Sequence, residues 1–226
     1  MRLNKFLSLT LGLSRRASDD AIAAKKVKLN GEIAHLGNRV ENKKDEVRYC
    51  GRLLKLEETE PTYLLLNKPV GYLSSKVSQG GSPTVYKLLS KQHLKLNLNI
   101  AGRLDKDSCG LILLTNDGEY LNKMTHPSSG KTKNYLVKLS KVLTDEDLIK
   151  LKSGIQIGDS RPSKFKEIKI LKDGVIKVEL EEGRNRQIRR TFYELGYRVT
   201  FLQRTSLGPY QLENLEEGRT KLTEKL

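Results

Sequence analysis

Apolar positions in the first part of the chain change their period from that of a helix to that of a strand. Leu3, Phe6 and Leu7 follow the i, i+3, i+4 spacing of one helical face. Ser14 is placed to cap a second helix, on which Ala17, Ala21 and Ile22 share a face while Arg15, Arg16, Lys25 and Lys26 point to solvent. Val27-Lys28-Leu29 then alternates as a strand does, Asn30-Gly31 is a strong hairpin-turn signal, and Glu32-Ile33-Ala34 supplies the return. The predicted unit is helix, helix, hairpin.

Leu56-Glu57-Glu58-Thr59-Glu60-Pro61 is acidic, ends in Pro and interrupts this pattern. It predicts one domain over 1–56, a linker over 57–61 and a second domain over 62–226. Tyr63-Leu64-Leu65-Leu66 reads as a buried strand, followed by a turn at Asn67-Lys68-Pro69-Val70-Gly71 and a Ser- and Gly-rich loop over 76–83. Val85, Leu88 and Leu89 suit a short helix, and alternation over 94–100 leads to the buried run Leu111-Ile112-Leu113-Leu114. Asn116-Asp117-Gly118 caps a helix carrying Tyr120, Leu121 and Met124, which His126-Pro127-Ser128-Ser129-Gly130 breaks. A strand over 133–139 has Tyr135, Val137 and Leu139 on one face, and Thr144 with Asp147 opens a helix through Leu148 and Leu151. Asp173-Gly174 joins two further strands, and a helix with Ile188, Phe192 and Leu195 ends at Gly196. Leu207-Gly208-Pro209-Tyr210 then turns into a charged tail. Strands outnumber helices, so the fold class is α+β: a small domain, then a domain with a largely antiparallel mixed sheet and flanking helices.

A net charge of +15 over 226 residues narrows the choice of partner. Such an excess of Lys and Arg favours a polyanion, and without an amphipathic anchor nucleic acid outranks a membrane surface. Cys50 and Cys109 lie far apart without CxxC spacing, and His35, His93 and His126 are scattered singly, which gives no support to a zinc site, a disulfide framework or a His-based triad. The opening Met-Arg-Leu-Asn-Lys has no apolar leader pattern, and no run approaches the roughly 18 apolar residues of a membrane span. The expected location is the cytoplasm.

Candidate chemistry concentrates at Gly102-Arg103-Leu104-Asp105-Lys106-Asp107-Ser108-Cys109-Gly110, where a carboxylate flanked by cations sits in a Gly-bounded connection between two predicted strands. From its neighbours alone Asp105 reads as half of an exposed ion pair worth about 0–1 kcal/mol. Asp107 and Asp117 read as turn and capping groups, and Lys68 and Pro69 as structural. Six arginines fall between Arg184 and Arg204, a run suited to holding an RNA backbone and to supplying a cation to a buried carboxylate.

Ser14-Arg15-Arg16-Ala17 with Val27-Lys28-Leu29-Asn30-Gly31 resembles the S4 RNA-binding domain. The resemblance implies RNA contact by Arg2, Lys5, Arg15, Arg16 and Lys28. That family often has Gly after the second helix. Lys25 in a left-handed conformation there would cost on the order of 1 kcal/mol, so a different helix ending is expected. Asn67-Lys68-Pro69-Val70-Gly71, then the Asp105 string with Leu114-Thr115-Asn116-Asp117-Gly118, then Arg184-Asn185-Arg186-Gln187-Ile188-Arg189-Arg190, resemble three ordered motifs of the ribosomal pseudouridine synthases of the RsuA/RluB/RluE/RluF group. Thr191 stands where relatives often have Met.

This second resemblance implies conversion of a uridine in ribosomal RNA to pseudouridine, in which no atoms are gained and no cofactor or metal is required. Asp105 matches the catalytic aspartate, which attacks C1′ of the sugar, attacks C6 of the base or removes a sugar proton; the sequence leaves all three open. A carboxylate shielded from water stays ionised only beside a cation, and Arg189 matches that partner. Tyr135 matches the tyrosine that stacks on uracil. Arg103 matches the arginine that fills the gap left by the flipped nucleotide, and Arg184, Arg186 and Arg190 join the expected RNA contacts. The expected partner is ribosomal RNA or a ribosome assembly intermediate, met by a monomer, with the 23S RNA favoured over the 16S RNA. A non-catalytic S4-containing assembly factor is the alternative from another class.

Overall fold

The computed structural model describes residues 1–41, 43–56, 59–126 and 129–226. The predicted linker positions Glu57 and Glu58 and the helix-breaking Pro127 and Ser128 lie outside the described residues. The chain divides into two compact units, Met1–Glu60 and Pro61–Leu226.

In the first unit, α1 (Leu3–Leu11) and α2 (Arg15–Ala23) bury Leu3, Phe6, Leu7, Ala21 and Ile22 against Val27, Ala34, Val40 and Val47. Ser14 caps α2 as predicted, its hydroxyl accepting from the Ala17 N–H at 3.0 Å. Ser18, not Ala17, is the buried residue of the first turn, and its hydroxyl donates to the Ser14 carbonyl at 2.9 Å, which meets its polar requirement. The ending of α2 corrects the expectation for Lys25, which does adopt the left-handed conformation at φ 56°. Its N–H donates to the Ile22 carbonyl at 2.9 Å and that of Lys26 to Ala21 at 3.1 Å, a Schellman ending whose two bonds offset the steric cost.

β1 (Val27–Leu29) pairs with β2 (Glu32–Ile33) across Asn30 and Gly31, both at positive φ. β3 (Val47–Tyr49) and β4 (Arg52–Leu54) extend this to a four-stranded sheet in the order β2-β1-β3-β4. Neither of these last two strands was legible in the sequence, because their turn is Cys50-Gly51 rather than an Asn-Gly or Asp-Gly pair.

The second unit is built on a nine-stranded sheet. In chain order its elements are β5 (Tyr63–Lys68), α3 (Lys91–Lys95), β6 (Asn99–Ala101), β7 (Cys109–Thr115), α4 (Gly118–Thr125), β8 (Lys133–Leu139), α5 (Asp145–Ser153), β9 (Glu167–Ile170), β10 (Ile176–Leu180), α6 (Gln187–Glu194), β11 (Val199–Leu207), β12 (Tyr210–Gln211) and β13 (Thr220–Thr223). The main path runs β13-β5-β7-β11-β8-β10-β9, with β6 on β7 and β12 on β11. Of these strands only β7 and β11 pair in parallel.

β7 is buried along its whole length: Ile112 and Leu114 enter one core and Leu111 and Leu113 the other. Coverage of both faces explains why β5 and β7 read as unbroken apolar runs. Two expectations change here. Asn67 and Lys68 belong to β5 rather than to a turn, and the predicted charged tail contains β13, paired with β5. β11 was also missed, since its buried Arg204 and Ser206 break the apolar pattern.

Candidate active site

The loop over 102–108 leaves β6 and enters β7 under tight control of its backbone. Gly110 sits at φ +104°, and a Cβ there would lie 2.3 Å from the Arg204 carbonyl oxygen, so only Gly lets β11 lie alongside β7. Gly102, at φ +77°, leaves room for the Arg204 guanidinium, 3.5 Å from where a Cβ would stand. The Arg204 side chain in turn donates from Nη2 to the Gly102 carbonyl and from Nε to the Leu111 carbonyl, both at 2.7 Å, and so brackets the loop.

Between these brackets the Ser74 hydroxyl donates to the Leu104 carbonyl at 2.8 Å and accepts from the Leu104 N–H at 3.2 Å. Lys68, fully buried, donates from Nζ to the carbonyls of Ser108 at 2.6 Å, Pro69 at 2.8 Å and Lys106 at 3.5 Å. Burial pushes its ammonium down to about 8, against the charges of Asp105 and Asp107, which act to raise it. Arg189 Nη2 donates to the Asp107 carbonyl at 2.7 Å and to the Ser108 hydroxyl at 3.2 Å.

Against this fixed backbone the Asp105 carboxylate makes no hydrogen bond to any described residue, and its side chain is about one-third exposed (35%). It lines a cleft of about 670 Å³ together with Tyr135, Arg103, Lys133, Arg186 and Arg204. Tyr135 is buried on β8, where its register partner on β11 is Arg204.

The cation nearest Asp105 is not the expected one. Arg186 Nη1 stands 3.6 Å from Asp105, whereas the side-chain contact of Arg189 is with Asp107, 3.3 Å from Nε. Arg189 enters from α6 beneath the loop, where its Nη1 also reaches the Val199 carbonyl at 3.1 Å. Arg186 precedes α6 at φ +47°, a left-handed backbone that aims its side chain at the loop. Asp107 is therefore more than a turn residue. Burial acts to raise its carboxyl, but the Arg186 hydrogen bond and the charges of Arg189 and Arg186 outweigh this and lower it.

The remaining candidates separate by how their donors are occupied. Arg103 is exposed, with no hydrogen bond or ion pair among the described residues. Arg184 is committed to Glu182, Asp159 and the carbonyls of Arg161 and Pro162. Arg190 binds Asp159 and the carbonyls of Ile157 and Asn185. Arg204, counted with the RNA-facing run in the sequence, is 1% exposed. In the first unit Arg2, Arg15, Arg16 and Lys28 are exposed and Lys5 is half-buried. Ser74, Lys133 and Arg204 were missed as site residues. Alternation on β8 placed Lys133 on the face of Tyr135, the one signal that pointed to it. Among the described residues no cluster of His, Cys, Asp or Glu is arranged to hold a metal ion.

A carboxylate on a braced loop, a tyrosine in the same cleft and a basic surround define a site suited to chemistry on a nucleic-acid base. Residues 62–194 match the family model for RNA pseudouridylate synthase, and residues 1–47 match that for the S4 domain. The ribosomal small subunit pseudouridine synthase A of Haemophilus influenzae is 37% identical over 96% of this chain and 94% of its own. The ribosomal large subunit pseudouridine synthase B of Bacillus subtilis is 36% identical over 96% of this chain and 89% of its own. A crystal structure of a pseudouridylate synthase, 35% identical, superposes with a TM-score of 0.71 over 99% of this chain and 96% of that one. The chain belongs to the RNA pseudouridylate synthase family, isomerases that convert uridine to pseudouridine, and carries an S4 domain at its N-terminal end.

Proposed function

We propose that the protein isomerises a uridine of ribosomal RNA, with Asp105 as the catalytic carboxylate. The observation that carries this reading is the Asp105 carboxylate itself: unbonded, on a backbone fixed from several sides, in the same cleft as Tyr135. Such preorganisation suits a nucleophile or base that must meet one atom of a flipped nucleotide. Tyr135 provides the flat surface for the base, Arg186 provides the counter-charge to Asp105, and Arg189 holds the loop through Asp107 and Ser108. Arg103, exposed and unpaired among the described residues, fills the gap in the RNA stack. The domain over 1–56 docks on structured RNA through Arg2, Lys5, Arg15, Arg16 and Lys28. Relatives named for the small and the large ribosomal subunit match at nearly equal identity, so large-subunit RNA, favoured from the sequence, gains nothing over small-subunit RNA from them.

The test is tritium release from C5-labelled uridine in 16S and 23S RNA. The wild type is expected to release label from one of them, and Asp105→Asn to release none while binding RNA as tightly. Equal binding with no release by either protein would favour the assembly-factor reading.

A further inference from the structure

Two cations of the cleft that are buried or half-buried, Arg204 and Lys133, have no carboxylate partner among the described residues. Arg204 donates from Nε and Nη2 to backbone carbonyls, and its Nη1 makes no hydrogen bond to a described residue although the side chain lines the cleft. Lys133, half-buried, reaches only the carbonyls of Lys131 and Glu182, at 3.4 and 3.5 Å. Burial, and then the neighbouring Arg204 charge, push its ammonium down. The Glu182 carboxylate is taken up by Arg161, Arg184 and Gln187. Lys133 and Tyr135 are two residues apart on β8 and share a face, and Arg204 is the register partner of Tyr135. Positive charge at least half-buried therefore flanks the tyrosine, and no carboxylate among the described residues pairs with it.

The chemistry supplies a transient anion at that place. When Asp105 attacks C1′ or removes a sugar proton, the C1′–N1 bond breaks with its electron pair leaving on the base, and the charge spreads to O2 and O4. When Asp105 attacks C6 instead, the pair moves through C5 to O4. In each case C1′–N1 is broken and C1′–C5 forms, the bond from Asp105 to C1′ or C6 is then cleaved or the removed sugar proton is returned, the C5 proton is lost, N1 takes up a proton, and the atom count is unchanged. We infer that Arg204 and Lys133 are the counter-charge for this uracil anion and bind its carbonyl oxygens. Donors fixed where charge develops act strongly in a water-poor cleft. A phosphate is the poorer occupant, because backbone phosphates meet exposed cations, whereas Arg204 is 1% exposed and reaches only a group that enters the cleft.

This inference rests on the isomerase reading above. Its test uses full-length protein and ribosomal RNA transcripts made with uridine or with 5-fluorouridine, whose fluorine acidifies the base and makes it a better leaving anion. Single-turnover formation of the C-glycoside is followed by chromatography after nuclease digestion. Lys133→Met is expected to slow the uridine reaction by about 10–100-fold, with RNA affinity held within about twofold, and to lose most of that defect on the fluorinated transcript. Arg204→Lys is expected to behave likewise; if it fails to fold, Lys133→Met decides. An equal defect on both transcripts, a defect confined to affinity, or no defect overturns the inference. An inactive wild type overturns the isomerase reading and this inference with it.

Discussion

Arg186 grips Asp107 with both terminal nitrogens, Nη1 at 3.1 Å and Nη2 at 2.8 Å, while that same Nη1 stands 3.6 Å from the Asp105 carboxylate. A bidentate pair fixes the plane of a guanidinium, so Asp107 sets where the positive charge beside Asp105 lies. Asp107→Asn keeps the shape and removes the charge. It is expected to lower kcat about tenfold, equivalent to about 1.4 kcal/mol in the barrier, with KM nearly unchanged. Wild-type kcat in this variant would show that the grip has no part in the chemistry.

Gly110→Ala meets two obstacles, a left-handed φ of +104° and a backbone oxygen 2.3 Å from the new Cβ. Neither can yield cheaply, because the oxygen belongs to the strand that forms the parallel pair. A loss of about 3–5 kcal/mol is expected in urea unfolding at fixed pH. A loss below about 1 kcal/mol would mean that β11 moves away freely.

Lys68 makes stability depend on pH in an uncommon direction. Its folded pKa, about 8, lies below the ordinary 10.5, so between those values the unfolded chain binds more protons and stability rises with pH. The cost of keeping this charge buried is fully present below about 8 and gone above 10.5. Relative to Lys68→Met, the wild type is therefore expected to gain on the order of 3 kcal/mol as pH climbs from 7.5 to 10.5. Parallel stability curves for the two proteins would contradict this.

RNA docking by the first unit is read from the salt dependence of affinity. The full-length triple variant Arg15→Gln, Arg16→Gln, Lys28→Gln is expected to bind more weakly, with its log–log salt slope shallower by about 2–3, because it neutralises fewer phosphates and so displaces fewer counterions. An unchanged slope would remove these residues from the interface.

Much of the fold could be read from local signals because those signals act locally. Ser14, Asp117 and Thr144 cap helices as their positions predict, and Asn30-Gly31 turns a hairpin. What escaped depends on contacts far apart in the chain. β11 hides behind Arg204, whose buried charge is tolerable only because two carbonyls, one of them Gly102 in the site loop, receive it. The exchange of Arg186 and Arg189 has the same origin. Their order in the motif says that both approach the loop, but which one faces Asp105 is decided by the left-handed backbone at Arg186, which no residue preference announces. Nor does the run of arginines announce that Asp159, remote in sequence, pairs with both Arg184 and Arg190.

β11 is the last long strand to be made, yet it lies between β7 and β8, which precede it. A chain that has not yet reached β11 lacks both the inner strand between β7 and β8 and the arginine that braces the two ends of the loop. The site loop is braced at both ends only once residue 204 has been added and β11 has taken its place between β7 and β8.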